Sequence, residues 1–556
     1  VLLFVFLLCA PAAARIHPKF SSTLERYLQR QAHKRATTSD VYAWVFFSDK
    51  GDHLKEDIEF LTKSPDVFSR RKRDLPQNLR SVYAELSEEA VERRKKSGVS
   101  IKVQDFPVHQ DYLDEVKNID GLNIRHVSRW LNAISVRAPL DSLTAAADLP
   151  FVERVELLPP AAPKAVDSSP RPHHEKRGIR ETCRQQLEQI HAAELIDEGF
   201  AGQNISVLIC DNGFRLDHIM FSDLEVRGTL NFVTGFGDTN VRNSNPNYNE
   251  HGTGTLSMLA GYSSLYGACG AGYKARLWVA ATEDSAGEYP AEEDNLVAAL
   301  EWGERAGVRL VSTSLGYDDW YAWQDFDGVT SPCAKAFNHA WDLGVVLVNS
   351  AGNSGARGIT TPADAYYVIS VGAVDSGNHI GFFSSHGPSA DGRIKPELCA
   401  RGVNTMTADA ISVSVPGTGS VKTWSGTSFS APLLAGGVAA LMSKHPDWTN
   451  VQVREALLHT GTNPPKDLQG KLQYGYGIAN IAAASKYEHK KDEECMTCLI
   501  SGRCMMGPQG SCPCASSSFY EYDCSVEKID CVMRCPGGQC RDGLCYCEGT
   551  MRPTCL

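Results

Sequence analysis

Gly426-Thr427-Ser428-Phe429-Ser430-Ala431-Pro432 places a serine among small residues, and the apolar run Leu433 to Met442 follows directly. That pattern suits a hydroxyl presented at the start of a buried helix, where the helix dipole favours negative charge developing beside it. A serine there is also an ordinary helix N-cap, and a hydroxyl attacks nothing without a general base. Two upstream stretches carry the missing groups. Val207-Leu208-Ile209-Cys210-Asp211-Asn212-Gly213 is a short apolar run ending in a carboxylate and a turn signal, which predicts a buried parallel strand with Asp211 at its C-terminal end. Catalytic groups of open α/β sheets collect at that edge. Glu250-His251-Gly252-Thr253-Gly254-Thr255 sets a histidine just ahead of an expected helix start at Leu256 to Ala260. Each of the three is unremarkable alone. Together, in the order Asp, His, Ser, they supply an orienting acid, a base and a nucleophile.

Around them, short apolar runs alternate with amphipathic segments. Val207 to Cys210, Leu277 to Ala280, Val308 to Ser312, Val345 to Val348 and Val368 to Val371 read as buried strands. Helices are expected at about 184 to 198, 251 to 260, 291 to 306, 333 to 343 and 430 to 443. The fold class is therefore α/β, a mostly parallel sheet with helices on both faces.

ICDNG around Asp211, EHGTGTLSMLAG around His251, STSLG at Ser312 to Gly316, NSAGNSG around Asn353, FSSHGPSADGRIKPEL at Phe383 to Leu398 and GTSFSAP around Ser428 stand in one order across roughly residues 185 to 485. In these six blocks the chain resembles the subtilisin-like serine peptidases, the subtilases. Three positions depart from the family pattern: Asn212 after the aspartate, Gly254 where a second histidine is usual, and Arg401 in place of the usual proline of Ala-Pro-Gly. None removes a triad group. The resemblance implies Ser428 as nucleophile, His251 as general base, Asp211 as its partner and Asn353 as oxyanion donor. From the residues alone, Asn353 reads as a turn asparagine beside Gly352. The resemblance also implies that Ser314, Leu315 and Gly316 pair with an extended peptide as an added strand. The acidic, aromatic continuation Asp318 to Asp327 is expected to favour basic or large substrate side chains. An ester or lipid hydrolase would show a Gly-x-Ser-x-Gly elbow, which Ser428 lacks.

The 556 residues exceed one core, so two or three folded units are expected. Hydrophobic content of 42% and charged content of 22% fit a globular protein. Val1 to Ala10 is strongly apolar and small residues follow to Ala14, which reads as a secretory signal peptide over 1 to 14 and predicts an extracellular or secretory-lumen protein. No later stretch has the run of roughly 18 apolar residues a spanning helix needs.

Residues 15 to 175 form a second unit. Strands are expected at Val41 to Phe47, Ser128 to Val136 and Phe151 to Leu157, with helices at Ser87 to Lys96 and Leu140 to Ala147, giving a small α+β domain. SRWLNAISVRA and LPFVERVE are similar to pro-regions of secreted subtilases, which implies a propeptide that assists folding and acts as an intramolecular inhibitor. The alternative is a domain that stays attached. Residues 1 to 180 carry 29 basic and 24 acidic side chains, so with −11 for the whole chain the remainder carries −16. A basic pro-region is attracted to an acidic enzyme, and nothing in that acidic part supports nucleic-acid binding. Pro159 to Arg180 reads as a linker, with Lys176-Arg177 and Arg180 offering basic sites for maturation. The peptidase unit is assigned to 176–487.

Twelve of the 18 cysteines fall between Cys495 and Cys555, in two runs of six that each carry Cys-x-Cys at the fourth and fifth members. An even count after a secretory signal favours disulfides over zinc, although Cys495-Met496-Thr497-Cys498 has ligand spacing. The tail, 495–556, resembles two epidermal-growth-factor-like modules, which implies an extracellular or cell-surface partner. Asn204-Ile205-Ser206 is a glycosylation sequon. The chemistry requires no cofactor. Calcium is frequent among subtilases, yet the carboxylates form no unambiguous binding loop and its ligands stay unassigned. The partners expected are a protein or peptide substrate and the chain's own propeptide. The competing function is a catalytically silent subtilase that binds through its cysteine-rich tail.

Overall fold

The computed structural model describes residues 17–21, 24, 40–64, 66–158, 183–234, 238–243, 245–284, 291–489, 539–541 and 544–546. The signal peptide, the linker and most of the cysteine-rich tail lie outside the described residues. The chain divides into two compact units, Val1–His53 with Pro107–Pro160, and Leu54–Phe106 with Ala161–Leu556.

In the first unit, β1 (Val41–Phe47), β2 (Asn123–Ser128), β3 (Ala133–Ala138) and β4 (Val152–Leu158) make an antiparallel sheet in the order β2-β3-β1-β4. Alternation puts Ala43, Val45 and Phe47 on one face with Ile134 and Val136, where Leu113 and Val116 of helix Gln110–Lys117 and Leu143 and Ala146 of helix Leu140–Asp148 cover them. One expectation fails. Ser128 to Val136 is not a single strand: Arg129 to Asn132 form the turn of the β2–β3 hairpin. Asn132 adopts φ 51, a left-handed conformation that asparagine tolerates, and its side-chain amide donates to the carbonyls of Phe47 and Asp49.

The second unit is built on a seven-stranded sheet, and every strand pair in it is parallel. Its strands are β5 (Ser206–Asp211), β6 (Glu225–Asn231), β7 (Arg276–Ala281), β8 (Leu310–Thr313), β9 (Val346–Ser350), β10 (Ile369–Val374) and β11 (Leu398–Arg401), in the order β11-β10-β9-β8-β5-β7-β6. Every residue of β5, β8, β9, β10 and β11 is buried, as strands covered on both faces must be. The five apolar runs all become strands, whereas β6 and β11 are additions: β6 is an exposed edge strand, EVRGTLN, without an apolar run. The labelled helices are α1 (Glu88–Lys96), α2 (Glu250–Ala260), α3 (Ala291–Ala306), α4 (Pro332–Asp342) and α5 (Thr427–Lys444). The helix expected over 184 to 198 is two, Cys183–Gln189 and Ala193–Asp197, broken where His191 takes φ 54.

Helix α5 is apolar on all sides and buried from Thr427 to Met442, the signature of a helix through the middle of a core rather than along its surface. A disulfide joins Cys183 to Cys269. In the tail, Gln539–Arg541 pairs antiparallel with Leu544–Tyr546, which sets Cys540 opposite Cys545 in register.

Candidate active site

Asp211 is the last residue of β5 and fully buried, at the carboxyl edge of the sheet. A carboxylate there must have donors, and it has three. The backbone N–H of Asn212 donates to Oδ1 at 2.8 Å, the Thr255 hydroxyl to Oδ2 at 2.9 Å, and Nδ1 of His251 lies 2.8 and 3.0 Å from the two oxygens. His251 is the second residue of α2, which begins at Glu250, six residues ahead of Leu256. The first turn of α2 can lie this close to β5 because position 252 is glycine: a Cβ there would sit 2.2 Å from the carbonyl oxygen of Gly213 and 3.1 Å from Cβ of Asp211. The side chain of Asn212, one of the departures from the family pattern, accepts from the N–H of Gly252. The departure at Gly254 has a packing reason, since a Cβ there would lie 3.1 Å from the Phe429 ring.

Ser428 is the second residue of α5 and not its cap; the capping position is Gly426, at φ 158. Its neighbour Phe429 sets its ring 5.9 Å from that of His251, and Trp424, ending the hairpin β12 (Thr405–Asp409) and β13 (Ser420–Trp424), meets the same imidazole edge-on at 6.3 Å. The imidazole side chain keeps 29% exposure between these rings. Pro432 lies four residues beyond Ser428 and has no N–H to give its carbonyl. The hydroxyl of Ser314 takes that place, donating to the Ser428 carbonyl oxygen at 2.8 Å.

Ser314, Leu315 and Gly316 follow β8 directly. Gly316 is required because a Cβ would lie 2.4 Å from the Thr360 hydroxyl. Tyr317, the next residue, pairs through its backbone with Thr361. The aromatic residues beyond it turn inward: Trp320 and Tyr321 both donate to Oε1 of Glu293 at 2.8 Å, and Tyr317 donates to Glu283 at 2.8 Å. Asn353 is brought to the same place. Its Oδ1 accepts from both the N–H and the hydroxyl of Thr427 at 3.0 Å, which fixes the amide with Nδ2 turned away from Thr427. Thr255 and Thr427 were missed by sequence reasoning, although both lie inside the quoted blocks. Among the described residues no group of three or more His, Cys, Asp or Glu side chains is arranged to hold a metal.

Burial pushes the Glu293 carboxyl up to about 7, against the hydrogen bonds from Tyr321 and Trp320. The native state therefore keeps a proton that the unfolded chain gives up near 4.5, and stability present below that pH is lost as pH rises toward 7. Melting temperature of the native chain is expected to fall relative to that of Glu293→Gln between pH 5 and 8. Parallel pH profiles of the two proteins would contradict this.

The parallel sheet thus carries a buried Asp–His pair at its carboxyl edge, and a serine stands in the first turn of the central helix. A model of the Subtilase family matches residues 202–477, and one of the peptidase S8 propeptide domain of Bacteroidota matches 42–174. The chain is 31% identical to Subtilisin E of Bacillus subtilis (strain 168) over 306 residues, 54% of this chain and 70% of that protein. It is 31% identical over 306 residues to Subtilisin of Bacillus pumilus, covering 98% of that protein, and 29% over 303 residues to Subtilisin Savinase of Lederbergia lenta, covering 97%. The chain belongs to the subtilase family: it is a serine-type endopeptidase that acts on peptides and carries an intramolecular propeptide.

Proposed function

We propose that Ser428, His251 and Asp211 are the triad of a secreted, self-maturing endopeptidase. The hydrogen bond from His251 to the buried Asp211 carries this reading. With Nδ1–H donated to Asp211, the neutral imidazole presents Nε2 as an acceptor. Nε2 takes the proton of Ser428 as its oxygen attacks the scissile carbonyl. The same proton then goes to the leaving amine, and water releases the acyl group by the reverse sequence. Charge developing on the carbonyl oxygen is met by Nδ2 of Asn353 and the Ser428 N–H at the start of α5. Ser314 to Gly316 lines the substrate as an added strand, and the Ser314 hydroxyl ties that segment to the nucleophile's own backbone. No cofactor enters the reaction. The secretory leader, the maturation cut in the linker and the extracellular partner of the cysteine-rich tail belong to the same proposal, supported by the apolar N-terminus and the cysteine spacing.

The test is expression from Arg15 in an oxidising host beside a Ser428→Ala chain. Only the unmutated chain is expected to digest casein and to shorten to a form starting between residues 163 and 183. Casein digestion by the alanine chain would sink the assignment.

Two smaller effects belong to this reading. Asn353→Leu is expected to lower kcat by about 10² to 10³ with KM little changed, since the lost donor serves the transition state. Thr255→Val removes one charge-assisted donor to Asp211, worth about 1.5 kcal/mol, so kcat is expected to fall about tenfold, with Thr255→Ser restoring it. Unchanged kcat in either case would contradict the role given.

A further inference from the structure

The family model places residues 42–174 in one propeptide domain, yet the structure assigns Leu54–Phe106 to the peptidase body. This segment has a small core of its own, with Leu54, Val67, Leu79, Val82 and Phe106 among its buried residues. It meets the peptidase through α1, whose last turn is Arg93, Arg94, Lys95 and Lys96. Arg93 and Arg94 are both buried, and both bind the buried carboxylate of Glu304 in α3. Arg94 also holds Asp105 of its own segment through paired bonds of 2.7 and 2.8 Å. The remaining N–H groups of Arg93 reach main-chain carbonyls: Leu343, just past the end of α4, at 3.0 Å, and Val308, just past the end of α3, at 2.6 Å. One guanidinium thus caps the C-terminal ends of two helices, where the dipole is negative. The Ser87 N–H donates to the Arg305 carbonyl, and the Lys96 ammonium to that of Pro446. Left-handed glycines make room: a Cβ on Gly307 would lie 2.5 Å from Cβ of Glu89, and one on Gly344 2.5 Å from the Ser97 hydroxyl.

The position of this contact decides what it does. Val308 and Leu343 stand just before β8 and β9, at the amino edge of the parallel sheet, whereas Asp211 ends β5 at the carboxyl edge. Pro446 follows α5, which begins at the nucleophile, and the helix from Ser428 to Lys444 is roughly 24 Å long. A contact at that edge leaves the substrate side open. Removing the segment would leave Glu304 and the carbonyls of Val308 and Leu343 without the guanidinium donors that now serve them.

We propose that Leu54–Phe106 is a resident part of the working enzyme, held non-covalently on the amino edge of the sheet by Arg93 and Arg94 after the linker is cut. The segment contains no cysteine, so no disulfide can hold it. The idea rests on self-maturation for its main test, in which the casein-digesting peak from native gel filtration is denatured and weighed by mass spectrometry. The expected result is one copy of a peptide containing Glu88 to Lys96 per peptidase, and at least tenfold less of it in an Arg93→Met/Arg94→Met chain. An active peak without that peptide overturns the proposal, as does a double variant that retains it fully. A Ser428→Ala chain with a recognition sequence for an added protease inserted between residues 164 and 176 separates this idea from the activity. After cutting, the N-terminal fragment is expected to dissociate at least tenfold faster from the double variant, and equal rates overturn the proposal. Should the double variant not fold, Glu304→Gln is read in the same way.

Discussion

His251→Ala is expected to lower kcat on a peptide substrate by about 10⁶-fold, with KM within a few-fold of the native value. Serine, base and acid act as one unit, so removing the base leaves a hydroxyl that is un-ionised at neutral pH and has no acceptor for its proton. The residual rate would come from Asn353 and from substrate binding along Ser314 to Gly316, which the substitution does not touch. His251 is part-exposed between Trp424 and Phe429, so its truncation deletes no core side chain, and the circular dichroism spectrum and melting temperature are expected to change little. Steady-state kinetics on a chromogenic peptide read this directly. A loss below a hundredfold would mean that another group takes the proton.

Asp211→Asn is expected to cost about 10⁴-fold in kcat, again with KM preserved. The asparagine fills the same space, but its environment was built for an acceptor. The Asn212 N–H, the Thr255 hydroxyl and His251 Nδ1 all point at the two carboxylate oxygens. An amide NH₂ set among these donors finds its acceptor in Nδ1, which moves the imidazole proton to Nε2, the wrong tautomer for a base. The measurement is kcat and KM across pH 6 to 10 beside the native chain. Full activity in the variant would show that Asp211 is a structural carboxylate.

The sheet was legible where burial on both faces forced uninterrupted apolar runs, as in Val207 to Cys210 and Val345 to Val348. It was not legible at Glu225–Asn231, where one side is exposed and the pairing with β7 needs no apolar run. The candidate site residues could be read because a carboxylate, a histidine and a serine each end or begin such a run. Their supports could not. Thr255 and Thr427 act through single hydroxyls that look like ordinary helix residues until the fold brings Asp211 and Asn353 within 3.0 Å. The Ser314 bond to the Ser428 carbonyl follows from Pro432, yet only the fold shows which donor fills the gap. The strand expected over Ser128 to Val136 is a hairpin, because the chain reverses at Asn132 in a left-handed conformation that the apolar pattern does not show. The charge-rich helix Glu88–Lys96 reads locally as a solvated surface. Its arginines find Glu304 more than 200 residues away, a pairing no local pattern encodes.

The central claim is that Ser428 is a nucleophile activated by His251. A fluorophosphonate probe tests it most directly, since the serine oxygen displaces fluoride and keeps the phosphoryl group on one residue. Peptide mass mapping after exposure of the matured chain is expected to find a single adduct, on Ser428, absent from His251→Ala and from heat-unfolded protein. An unlabelled Ser428 in folded protein, or labelling that survives loss of His251, would contradict the account.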